Sequence, residues 1–99
     1  MLIVYEDDEL ERTVFEASFS PPSWGADAVK RFRKIVQHID AAQSRKDLLQ
    51  LHSIDIEKRA SPPPKRILVR IGDRLFVSLS FRKMRDGHSV IIEEAIDYL

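Results

Sequence analysis

The chain contains no cysteine, which excludes disulfides and thiolate metal sites. Its three histidines, His38, His52 and His88, are scattered without metal-ligand spacing, so no structural metal of the His/Cys type is expected, nor any other cofactor. Long apolar runs are missing as well. Met1, Leu2, Ile3, Val4 and Tyr5 make one short stretch before an acidic cluster, and the N-terminus lacks the pattern of a signal peptide. A soluble, cytoplasmic protein without a membrane partner is the resulting expectation. Net charge is absent too: 16 basic residues balance 16 acidic ones, which disfavours strong nonspecific binding to nucleic acid. No internal repeat or low-complexity tract is present.

What is present suits one small globular domain spanning residues 1–99, of which 43% are hydrophobic. The balanced charges are unevenly placed. Acids dominate over 6–16, whereas bases dominate over 30–34 and again over 58–85. A targeted contact with RNA or phosphate is therefore compatible with the composition.

The stretch 66–98 organises the rest. Runs over 66–71 and 74–82 flank Gly72 and Asp73, which predicts two strands joined by a tight two-residue hairpin. Arg85, Asp86, Gly87 and His88 mark a second turn, and a third strand follows from Ser89 to about Ile96. Period-two alternation puts Ile67, Val69 and Ile71 on one face with Leu75, Val77, Leu79 and Phe81. Arg66, Leu68 and Arg70 take the other face, as do Phe76, Ser78, Ser80 and Arg82. The first face reads as core. The second carries arginines and an aromatic ring, and a working surface is expected there; Arg66, Phe76 and Arg82 on it, and Arg85 in the second turn, are the candidate RNA contacts.

Upstream, Leu2 to Tyr5 reads as a strand, and Glu6, Asp7 and Asp8 suit the start of a helix over 8–17. Ser20, Pro21, Pro22 and Ser23 break it. The spacing of Ala28, Val29, Phe32, Ile35, Val36 and Ile39 predicts a second helix over 26–41. Its outer face carries Lys30, Arg31, Arg33, Lys34 and Gln37 and reads as solvated. Trp24 is placed to pack on its first turn. Ser44, Arg45, Lys46 and Asp47 look like a cap for a further short helix through Leu48, Leu49 and Leu51, and Pro62, Pro63 and Pro64 exclude helix beyond it. A strand, helices and an antiparallel meander make an α+β domain of two layers, with the N-terminal strand and helices packed on one face of an antiparallel sheet.

Ile39, Asp40, Ala41, Ala42, Gln43, Ser44, Arg45, Lys46, Asp47 and Leu48, followed by Leu51, His52 and Ser53, resemble a segment of HigB-type toxins. So do the hairpin Arg70, Ile71, Gly72, Asp73 and the ending Ile96, Asp97, Tyr98. These toxins belong to the RelE/ParE superfamily of toxin–antitoxin modules. The resemblance covers roughly residues 30–98, and the order and spacing of short motifs carry it.

The resemblance implies a RelE/ParE-like fold and a metal-independent mRNA endoribonuclease, an interferase that inhibits translation on the ribosome. It also implies a helix-turn-helix antitoxin of HigA type as partner, together with ribosome and mRNA. In such a reaction the ribose 2′-hydroxyl attacks its own phosphodiester, and guanidinium, ammonium, phenol or carboxyl groups align the attack, move protons and stabilise charge. Arg70 matches the arginine that opens the family's hairpin, Asp97 and Tyr98 match its C-terminal Asp-Tyr, and Lys58 falls near the basic residue of the preceding loop. Two positions depart from the family. Phe76 stands where an arginine is usual, and Leu99 stands where a histidine commonly follows. A catalytically degenerate binding module on the same fold, or a ParE-like gyrase inhibitor, are the alternatives.

Overall fold

The computed structural model describes residues 2–43, 56–58, 67–84 and 87–97. Strand β1 (Leu2–Tyr5) leads into helices α1 (Asp8–Phe15) and α2 (Ala26–Ala41), and strands β2 (Ile56–Lys58), β3 (Ile67–Arg70), β4 (Leu75–Met84) and β5 (Gly87–Asp97) follow. The fold is α+β. The five strands form one sheet in the order β1-β5-β4-β3-β2.

The sheet is mixed rather than wholly antiparallel. β2 through β5 form an antiparallel meander, but β1 lies parallel to β5, with Leu2 opposite Ser89 and Tyr5 opposite Ile92. Between these two strands the chain crosses over through both helices and the meander, a separation that permits parallel pairing where a hairpin would not.

Asp7 starts α1 by accepting hydrogen bonds from the backbone N–H of Glu9 (2.9 Å) and Leu10 (3.2 Å). The helix ends at Phe15, two residues earlier than the sequence predicts, with Glu16 in an extended conformation. α2 has the predicted bounds. Its Phe32, Ile35, Val36 and Ile39 pack on the sheet together with Leu10 of α1. Trp24 meets Phe32 edge-on, with centroids 5.4 Å apart. The predicted short helix around 48–51 lies outside the described residues.

On the helix-covered face, Ile67, Val69, Val77, Leu79, Val90 and Ile92 form the sheet's half of the core. The predicted assignment of β3 and β4 residues to this face holds, but the predicted turn does not. Ile71 N–H bonds the Leu75 carbonyl at 2.9 Å, so three residues, Gly72, Asp73 and Arg74, form the loop. Strand parity demands this. A two-residue turn would set Val69 opposite Phe76, whereas the three-residue loop pairs Val69 with Val77 and Arg70 with Phe76.

A second irregularity lies in β5. Ser78 pairs with Glu94 and Leu79 with Ile92, leaving Glu93 as the extra residue of a β-bulge. Beyond it the alternation of β5 is reversed, so Ala95 rather than Ile96 joins the core face opposite Val77.

Candidate functional site

The face opposite the helices differs from the open basic surface expected from the sequence. Its centre is buried: Leu68, Phe76, Ser78, Ser80, Ser89 and Ile91 are all at most 9% exposed. Glu93 contributes to this closure. The bulge directs its carboxylate to Ser78, whose hydroxyl donates to it at 2.8 Å. Exposed groups occupy the margins, with Arg70 at the end of β3 and Arg82 on β4.

Arg70 is the best-defined candidate. Its guanidinium sits 5.3 Å from the centre of the Phe76 ring on the neighbouring strand, a cation–π contact of about 0.5–1 kcal/mol at an exposed position. The ring orients a permanent cation whose forked N–H groups match phosphate geometry. Phe76 is correspondingly engaged. At 7% exposure it offers little ring surface for stacking a base, so its place among RNA contacts is replaced by a supporting role beneath Arg70.

The remaining candidates do not converge on Arg70. Arg70 pairs laterally with Phe76, and Phe76 with Ile96, so the guanidinium shares one end of the sheet with the last residues of β5. Two strand spacings, roughly 10 Å, separate these backbones. Asp97 pairs with Leu75 and therefore belongs to the helix-side face, while Arg70 belongs to the other. The bulge at Glu93 causes this separation. A strictly alternating β5 would have set Asp97 opposite Arg74, on the face of Arg70. The backbone of Lys58 pairs with Ile67, three residues along β3 from Arg70, or roughly 10 Å. Arg82 is near the opposite end of the sheet, across from Ser89. Tyr98, Arg66, Arg85 and His52 lie outside the described residues.

Two residues have structural weight that the sequence reading missed. For Glu93 a signal existed, since the consecutive carboxylates Glu93 and Glu94 interrupt alternation within an apolar strand. For Arg33 there was none. Assigned to a solvated face by helical spacing, it is half-buried and reaches back to the end of α1. Its Nε donates to the Thr13 carbonyl at 2.8 Å, and its Nη2 lies 3.1–3.2 Å from the carbonyls of Glu16, Ala17 and Phe19. The guanidinium thus supplies donors to carbonyls of the last helical turn and its exit, of which that of Glu16 also accepts from the Phe19 N–H at 3.1 Å, with charge of the sign a helix C-terminus favours.

Two concavities open around the helices. One, of about 690 Å³, runs between the α1–α2 connection and α2, lined by Phe19, Trp24, Lys30, Lys34 and Gln37 among others. Another, of about 470 Å³, lies beside β1 and α1. Among the described residues no group of three or more His, Cys, Asp or Glu side chains could hold a metal ion, and no helix is long and apolar enough to cross a membrane. Set against protein-family models, characterised proteins and solved structures, the chain finds no match.

Proposed function

We propose that the chain is the toxin component of a type II toxin–antitoxin module, a divergent HigB-like member of the RelE/ParE superfamily that cleaves mRNA on the ribosome. A helix-turn-helix antitoxin of HigA type is its inhibitor. The supporting observation is the placement of Arg70, a solvent-exposed guanidinium braced on Phe76 at the sheet end that it shares with the C-terminal residues of β5. A strand followed by two helices and an antiparallel meander is the element order that the resemblance implies.

In this reading Arg70 binds the scissile phosphate and stabilises the charge that develops as the 2′-hydroxyl attacks. Asp97, Tyr98 and Lys58 complete the working set, and Arg66, Arg82 and Arg85 hold the RNA backbone. The ribosome positions the message, because a marginal, open arrangement of cations has little power to align an attack by itself.

A second reading is a binding module of the same fold that does not cut RNA. The register of β5 favours it, since Arg70 and Asp97 occupy opposite faces of the sheet, and so does the burial of Phe76 where the family carries an arginine. Expression of the chain alone, with growth and ribosome-bound mRNA cleavage as readouts, separates the two. The toxin reading expects growth arrest and message cleavage, with about a hundredfold or greater loss of cleavage in Arg70→Ala. Cleavage undiminished in a folded Arg70→Ala variant removes Arg70 from the site. Absence of both arrest and cleavage in the wild type leaves the binding module.

A further inference from the structure

Among the described residues, the exposed large hydrophobic side chains are Leu2, Val4 and Phe15, at 60%, 40% and 72% exposure. They gather at one edge of the fold, where β1 is the outermost strand and no described strand lies beyond it. Glu6 donates its N–H to the Ile92 carbonyl at 2.9 Å. By strand alternation, Leu2 and Val4 therefore bond towards β5, while the N–H and C=O groups of Ile3 and Tyr5 point away from the sheet. The four residues of β1 include no lysine or proline, two of the guards against strand addition.

Beside this edge lies the groove of about 470 Å³, lined by Ile3, Tyr5, Val14, Phe15 and Val36, with Asp40 also contributing. Its own lining holds one carboxylate, Asp40, and one guanidinium, Arg33, and further carboxylates stand around it. The Tyr5 phenol is pushed above its usual pKa first by burial and then by the nearby carboxylates of Glu11 and Asp40. The cation that lines the groove, Arg33, is directed onto backbone carbonyls of α1 and its exit. Exposed Glu6, Asp8 and Glu9 follow directly from the strand.

We propose that the β1 edge docks an extended segment of a partner protein, alternately apolar and carrying lysine or arginine at its ends, which adds a strand beside Ile3 and Tyr5. Main-chain bonds to these two residues supply the pairing, and alternate side chains enter the apolar groove. Charge complementarity selects the occupant. The β1 of a second copy is uncharged and offers nothing to exposed Glu6, Asp8, Glu9 and Glu11, and these same carboxylates repel an RNA backbone. The edge is three strands away from Arg70, so the inference stands whether or not the chain acts on RNA.

Amide hydrogen exchange, read by NMR on the intact chain, tests the proposal. The probe is a short capped peptide of alternating valine and threonine with lysine at both ends, compared with the same peptide ending in glutamate. At millimolar lysine peptide, the Ile3 and Tyr5 amides are expected to exchange about tenfold more slowly, while the Val4 amide, already bonded to β5, changes little. The glutamate peptide, added salt and Glu11→Lys should each weaken binding about two- to fivefold, the range of an exposed ion pair. Unchanged exchange at Ile3 and Tyr5 overturns the docking edge, and equal binding of the two peptides overturns the basic occupant. Protection in the peptide-free chain that is lost on dilution assigns the edge to a second copy and also overturns the proposal.

Discussion

Replacing Arg33 tests how the two helices are joined. Arg33→Ala removes donors from four carbonyls, those of Thr13, Glu16, Ala17 and Phe19, at 2.8–3.2 Å. These contacts do not count equally. Nη2 has two hydrogens to divide among three acceptors, and water can reach the exposed carbonyls of Glu16 and Ala17 once the guanidinium is gone. The partly buried carbonyls of Thr13 and Phe19 are the costly ones. A hydrogen bond involving a charged group contributes about 1.5–3 kcal/mol, so two such bonds, partly offset by rehydration, give a loss of about 2–4 kcal/mol. Against a total stability of about 5–15 kcal/mol for a small domain, that is a large fraction. Thermal unfolding followed by circular dichroism should show a midpoint lowered by roughly 10–25 °C. Arg33→Lys should recover only part of the loss, since one ammonium cannot span acceptors from Thr13 to Phe19. A loss below about 0.5 kcal/mol, the ordinary range for surface substitutions, would refute the reasoning and return Arg33 to the solvated face of α2.

Two further outcomes follow from the packing of the strands. The Tyr5 phenol has its pKa raised above 10.0 by burial and by Glu11 and Asp40, so the folded state holds this proton more tightly than the unfolded state. The associated stability is fully present below the unfolded pKa and is lost as pH rises through the folded one; Tyr5→Phe should flatten this alkaline decline in melting temperature. Deleting Glu93 removes the bulge while Val77 stays opposite Ala95 and Ser78 opposite Glu94, so Ala95 keeps its core side; the loss is that of the Ser78–Glu93 hydrogen bond, about 1–3 kcal/mol, with a cooperative transition retained. Glu93→Gln, which keeps the residue count and an acceptor for Ser78, should lose less; a loss of about 4 kcal/mol or more in the deletion would show that β5 needs the extra residue itself.

The sequence by itself determined the local elements and the composition of the core. Helical spacing from Ala28 to Ile39 defined α2 together with the side that it buries, and the acids after Tyr5 marked the start of α1. Alternation in β3 and β4 identified Val69 and Val77 as inward and Arg70 as outward. These features repeat at 3.6 or two residues, so they are written in neighbouring positions. Tertiary structure decided what depends on counting across elements. The loop at Gly72 has three residues because opposite strands must agree in parity, and the extra residue at Glu93 sends Asp97 to the face opposite Arg70. Arg33 belongs to the end of α1 rather than to solvent because its acceptors lie 14–20 residues earlier in the chain, beyond the reach of any local pattern. The residue types suited to phosphate chemistry were therefore legible in the sequence, as was the face of Arg70, but the face of Asp97 was not, since a single inserted residue reverses every alternation that follows it.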